Sequence, residues 1–263
     1  MKTETPLDVA YAAMLSTPES DTARLPYFER LADSELFLLL EREADADKIS
    51  PELFETEEGR FVLAFDREER LVDFTGHAAP YVALSGRIIA HMVVEQGIGL
   101  GVNLGVEGGE NLLDSEALGW LLQTLDHKPE EVEDVPQELN PPKGLPDVLL
   151  GALDRKLPSA VGLATSAHLA AVTYKSGRRG HLLAFLDAKL GAEEALANAV
   201  SEALTFSGIE AGELDVVFVG RDDELTAPLL RVALSFDLPQ PERAEAVEIA
   251  APGSDPSKPP ILR

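Results

Sequence analysis

The sequence predicts a protein of the α/β or α+β class, two layered domains with mixed sheets, on three observations. Short apolar runs bounded by Gly, Pro and acidic residues recur in both halves, as buried strands do. Between them lie segments whose apolar residues repeat at helical spacing. At 128–146, five prolines (129, 136, 141, 142 and 146) and the acids Glu130, Glu131, Glu133 and Asp134 interrupt the pattern. Proline stiffness and like-charge repulsion make this an extended linker. It separates a domain at 1–127 from a second at 147–238, which suits 263 residues as two domains of about 120 each.

Thr5 caps a first helix, with Pro6 in its first turn, Asp8 near the N-terminal dipole, and Leu7, Tyr11, Met14 and Leu15 on one face. Residues 21–33 predict a second helix and 35–40 an apolar strand. From Glu41 to Glu58 eight acidic residues meet two basic ones, and most of the stretch reads as a solvated connection. Strands are predicted at 60–66 and 81–84, with a charged helix at 67–74. Residues 86–96 suit both a helix stripe through Ile88, Ile89, Met92 and Val93 and, by β-branched content, a strand. Residues 97–105 alternate Gly with aliphatics, so a strand there would leave one face as bare backbone for close packing. After a loop at 106–113, Asp114 caps a helix carrying Leu118, Leu121, Leu122 and Leu125, with Trp120 on its flank.

In the second half 146–156 reads as a helix; 160–164, 168–174 and 181–186 as strands, the last two forming a hairpin; and 196–204 as an amphipathic helix. Strands at 214–220 and 230–238 close the domain. Six of the last 25 residues are proline, so 239–263 is expected to be a disordered tail.

Charge and composition exclude whole function classes. With 22 Lys+Arg against 47 Asp+Glu the net charge is −25, which repels nucleic acid and anionic lipid at long range. Cysteine is absent, so thiol catalysis, disulfides and Cys-ligated metals are impossible for this chain. No apolar run approaches the roughly 18 residues of a membrane span, and the acidic N-terminus does not read as a secretory signal. A cytoplasmic location is the expectation.

Taken in order, Leu63-Ala64-Phe65-Asp66 with Arg70-Leu71, Tyr81-Val82-Ala83-Leu84-Ser85-Gly86-Arg87, the run from Gly97 to Gly105, and Leu118-Gly119-Trp120-Leu121 resemble the N-terminal domain of the SseB family, bacterial proteins named for enhanced serine sensitivity. The resemblance covers about residues 20 to 127, and the second half looks like a divergent counterpart of the family's C-terminal domain. Many members have Asn-Pro-Gly where this chain has Asn103-Leu104-Gly105, and Phe-Thr where it has Phe65-Asp66. The resemblance implies a cytoplasmic α/β protein of unestablished biochemical activity, a link to serine, and no catalytic residues to carry over.

Motifs for known chemistries fail on residue identity. A dinucleotide fingerprint begun at Gly99 and Gly101 needs glycine where Leu104 stands, and a Walker loop is absent. Ala83-Leu84-Ser85-Gly86 lacks the glycines of a nucleophile elbow. The histidines, His77, His91, His127, His168 and His181, show no metal-binding pair, although His168 and His181 could face each other across the hairpin. A calcium loop begun at Asp45 has Ile49, Ser50 and Thr56 at its key positions. Arg87, His91 and Glu95 recur four apart, as on an ordinary charged helix face. No catalytic residue, metal or cofactor is therefore expected. The first candidates for a small ligand are Arg87, Asn103, Glu107 and Glu110 around the glycine-alternating strand, and Arg178 with Arg179 could hold an anion. A binding or regulatory protein is the leading expectation, its partner a small metabolite or another protein, the latter docking a basic surface on the acidic linker or tail. An enzyme pairing histidine with carboxylate is the alternative. A homodimer through apolar strand edges is a third possibility.

Overall fold

A computed structural model describes residues 4–17, 21–45, 48–57, 59–126, 129, 133–208 and 214–240. The class is α/β with two mixed sheets, as the periodicity predicts. The chain begins with α1 (Pro6–Ser16), held by a reciprocal capping box in which the Thr5 hydroxyl accepts from the Asp8 N–H and the Asp8 carboxylate accepts from the Thr5 N–H. After α2 (Asp21–Asp33) come β1 (Glu35–Leu39), β2 (Leu53–Thr56), β3 (Gly59–Phe65), α3 (Glu68–Thr75), β4 (Tyr81–Ser85), α4 (Gly86–Val94), β5 (Gly99–Val102), β6 (Asn111–Leu113) and α5 (Ser115–Leu125). The undecided segment at 86–96 is thus helical. Its apolar side chains Ile89, Ala90 and Val93 all reach one core, so burial outweighs β-branched propensity.

The first sheet runs β4-β1-β3-β5-β6, with β2 also paired to β3; β3 and β5 are parallel and the other pairs antiparallel. One face, through Leu36, Leu38, Val62, Ala64, Leu100 and Val102, packs under α1, α2, α4 and α5. The opposite face, through Leu39, Leu63 and Phe65, is covered by α3 alone, through Leu71. The bare backbone of β5 is filled as its glycine alternation predicts. A Cβ on Gly99 would lie 2.5 Å from the Leu113 carbonyl and 2.6 Å from the Phe61 ring, and one on Gly101 would lie 2.6 Å from Leu63 Cδ2. Two expectations change here. Within 41–58, read mostly as solvated connection, Leu53–Thr56 forms β2 against β3, and the loop before α5 contains β6.

The second half comprises β7 (Pro136–Asn140), α6 (Asp147–Lys156), β8 (Ser166–Tyr174), β9 (Arg179–Leu186), α7 (Glu193–Phe206), β10 (Leu214–Val219), α8 (Thr226–Val232) and β11 (Leu234–Asp237). Its sheet runs β10-β9-β8-β11, with β7 also on β8. One face packs under α6 and α7, and the other under the single helix α8 through Leu229. The two sheets share a plan. Each has a central antiparallel pair, β1/β3 or β8/β9, flanked by one parallel and one antiparallel strand. They differ in chain order, since the antiparallel flank β4 precedes β5 whereas β11 follows β10.

Four further expectations are corrected. Part of the segment read as linker is β7, joined to β8 across a bulge between Pro136 and Glu138. Residues 160–164 are turn, because Gly162 adopts φ +63° after a 3-10 turn at Leu157–Ser159. Residues 230–232 belong to α8, where Leu225, Leu229 and Val232 cover the sheet at helical spacing. The hairpin register opposes His168 to Ala184 and His181 to Ala171, so the two histidines do not meet. Of the expected tail, Pro239 and Gln240 are tied back through Gly162 N–H and the Ala164 carbonyl, and residues 241–263 lie outside the described residues. So do His127 and residues 128 and 130–132 of the linker.

Candidate functional site: two buried charge networks

Asn103 follows β5 with φ +51°, a left-handed turn that asparagine tolerates better than most residues. Its side chain is wholly buried. Its Oδ1 accepts from the Asp66 N–H at 3.0 Å, so the loops after the parallel strands β3 and β5 are stitched together at their carboxyl ends. That is the end of a parallel pair at which α/β proteins gather polar groups. Its Nδ2 has no hydrogen-bond partner among the described residues.

Asp66 carries a second network. Its carboxylate accepts from Arg70 at 2.9 Å, one helical turn on, and from the Thr5 hydroxyl at 2.5 Å. Arg70 also reaches the Asp8 carboxylate with both terminal nitrogens, at 2.9 and 2.5 Å. One guanidinium thus bridges two carboxylates and clamps α1 onto α3. Burial pushes the Asp8 carboxyl up, but bonds from Arg70 and Thr5 outweigh it and hold Asp8 below the usual carboxylate range. Of the expected ligand residues, Asn103, Glu107 and Glu110 share this loop region. Glu110 accepts from the Gly105 N–H at 3.2 Å, and Glu107 is exposed. Asp8, Asp66 and Arg70 were named in the sequence only for a helix terminus and for the family resemblance, not as site residues. The Asp66–Arg70 spacing of four was the local signal for that pair.

Arg87 does not join them. Its guanidinium binds Glu202 of α7 through two parallel bonds of 3.0 Å and Asp33 of α2 at 2.6 Å. Lys156, at the end of α6, reaches the same two carboxylates, Asp33 at 2.6 Å and Glu202 at 2.5 Å. Two cations and two carboxylates from four helices therefore form a closed ring between the first and second sheets. Only 6% of the Lys156 side chain and 9% of that of Glu202 is exposed. Beside the ring Glu29 is buried with Oε1 unpartnered among the described residues and Oε2 3.9 Å from Arg155. Burial raises its pKa, against the opposing pull of Lys156 and Arg155. Phe206, the last residue of α7, crosses the same joint and packs into the core of the first half.

The expected anion site is also occupied by protein groups. Arg178 lies 2.9 Å from Asp215 and 3.7 Å from Asp134, with its guanidinium 4.2 Å over the Tyr174 ring. The Tyr174 hydroxyl donates to Asp215 at 2.5 Å, and burial together with that carboxylate raises its pKa. Arg179 is exposed at the start of β9. The pair therefore presents no joint anion cradle, because two carboxylates already compensate Arg178.

The four described histidines meet no carboxylate within hydrogen-bond reach. His77 bonds the Thr75 carbonyl, His181 bonds the Lys143 carbonyl, and His91 is exposed. His168 is buried on β8 between two hydroxyls, with Nε2 2.8 Å from Ser166 and Nδ1 3.0 Å from Ser235 of β11. Burial lowers its pKa below 6.5, against a pull from Asp237. A histidine with a depressed folded-state pKa contributes stability that is present above its unfolded value and lost as pH falls through the folded one. We expect melting temperature to decline on acidification below about pH 6.5. Substituting His168→Gln should flatten that part of the profile, as read by calorimetry. An unchanged slope would mean that another group sets it.

Among the described residues no group of three or more His, Asp and Glu is placed to hold a metal ion. None of their helices is long and apolar enough to cross a membrane. No protein-family model, curated protein or solved structure matches the chain.

Proposed function

We propose that this chain is a non-catalytic binding or regulatory protein of the SseB type, acting in the cytoplasm on a process connected with amino acids. One observation carries the binding reading. Asp8, Asp66 and Arg70 at the carboxyl ends of β3 and β5, and Asp33, Arg87, Lys156 and Glu202 at the joint between the halves, are engaged with one another in ion-pair networks. Acid–base catalysis needs a group held free to exchange a proton with substrate. Asp8, Asp66 and Arg70 instead hold elements together. The histidine environments point the same way, since a histidine–carboxylate enzyme needs the two within reach of one another. The acidic surface, at a net charge of −25, supports recognition of neutral or cationic species over anions.

The resemblance to the SseB family directs the first experiment. Thermal unfolding of the full chain is measured against serine, related amino acids, nucleotides and common metabolites. A ligand at 100 times its dissociation constant adds roughly 2.7 kcal/mol, a rise of about 5 to 10 °C. We expect such a shift from an amino acid, and its loss in a folded Asn103→Leu variant. A shift unchanged in that variant would remove the β3/β5 loops from the site. A flat panel would overturn the metabolite form of the proposal and leave a macromolecular partner.

A further inference from the structure

Five strand edges are guarded by length, charge or proline. β2 has four residues and is flanked by Glu52 and Glu57; β6 has three; β7 begins with Pro136 and carries Glu138; β11 has four and ends in Asp237; and β4 follows Pro80. β10 differs. Its six residues, Leu214-Asp215-Val216-Val217-Phe218-Val219, pair in continuous parallel register with β9 and, among the described residues, with no strand on the other side. It has no proline and no lysine. Its one charge, Asp215, is already bonded by Arg178 and the Tyr174 hydroxyl. The open edge thus offers backbone donors and acceptors between half-buried valines, and little to attract a charged peptide.

We infer that the outer edge of β10 pairs antiparallel with the same edge of a second copy of this chain, joining the two second-half sheets into one. A two-fold axis normal to a sheet places a residue opposite itself and keeps each face continuous. Centred on Val217, it opposes Val217 to Val217, Val216 to Phe218 and Asp215 to Val219. Centred on Val216, it opposes Val216 to Val216, Asp215 to Val217 and Leu214 to Phe218. Both registers oppose apolar residues except where Asp215 meets a valine, and keep the two Asp215 side chains apart, so the segment can pair with itself without facing like charges. The faces covered by α7 then adjoin, extending one core across the interface. Two chains of charge −25 repel at long range, so added salt strengthens this dimer, whereas it weakens capture of a basic partner.

Sedimentation velocity of the full chain, from micromolar to near-millimolar concentration at low and high salt, tests the association. The absence of cysteine permits a direct map of its register. Opposed residues of an antiparallel pair lie about 4.5 to 5.5 Å apart at Cα, within disulfide range. Single Val216→Cys and Val217→Cys variants, with Ala83→Cys on β4 as control, are oxidised at equal concentration and read by non-reducing electrophoresis. We expect a mass of twice 28.3 kDa favoured by salt, and covalent dimer from one of the two β10 variants but not from Ala83→Cys. A 28.3 kDa species under every condition, association weakened by salt, or cross-linking at Ala83→Cys equal to that at β10 would each overturn the inference.

Discussion

Replacing Lys156 with methionine is expected to lower the melting temperature by roughly 10 °C. Lys156 is almost wholly buried and bridges Asp33 and Glu202. Without it, Glu202 keeps only Arg87 as a cation, and two carboxylates at the joint share one guanidinium. Breaking a buried ion pair from one side costs about 3 to 5 kcal/mol, because the desolvated charge left behind is uncompensated. For a protein of this size each kcal/mol corresponds to about 2 to 4 °C. The double variant Lys156→Met/Glu202→Leu should recover most of the loss, since it leaves Arg87 with Asp33 as a neutral pair. A single variant within about 1 kcal/mol of the parent, or a double variant worse than the sum of the singles, would show that the ring is not the energetic joint.

Substituting Arg70→Leu should cost a similar amount, about 3 to 5 kcal/mol, and should also invert the response to acid. In the parent, Asp8 has a folded-state pKa below 3.8, so it contributes stability above that value that is lost as pH falls through the folded pKa. In the variant, Asp8 is left without its cation, and the burial that opposes Arg70 in the parent is expected to carry its pKa above the unfolded value. Its contribution is then favourable at low pH and lost as pH rises through the folded pKa. The variant should therefore gain stability relative to the parent between about pH 7 and about pH 4. Parallel pH profiles for the two proteins would remove Arg70 from its bridging role. The conservative Arg70→Lys variant should fall between them, because one ammonium cannot reproduce the two-nitrogen contact with Asp8.

Much of the fold was legible because it is written locally. The Thr5 cap, the helix at Asp21–Asp33, the Asp114 cap and the stripe of α7 rest on contacts within a few residues, and the hairpin on neighbouring strands joined by a short turn. The strands that were missed, β2, β6 and β7, are short, and β2 and β7 also carry acid or proline. What makes them strands is a neighbour that already offers a free edge, β3, β5 or β8. The apolar run at 160–164 failed in the opposite sense, for the left-handed Gly162 and the return of Pro239 fold it into turns.

The candidate site divides in the same way. Asn103 is notable in sequence because it follows a glycine-alternating strand, and the structure places it at the carboxyl end of that strand, bonded to Asp66. Arg87 offers only His91 and Glu95 as neighbours at helical spacing. Its partners stand 54 and 115 residues away. By itself the sequence determined the class, the succession of most helices and strands, the absence of thiol chemistry and the strongly acidic surface. These follow from composition and from periodicities that each segment satisfies alone. Only the tertiary structure decided that α2, α4, α6 and α7 meet in a ring of alternating charge, and that one arginine holds α1 to α3. A buried ion pair is selected by which desolvated surfaces face each other, and that is a property of the packed chain.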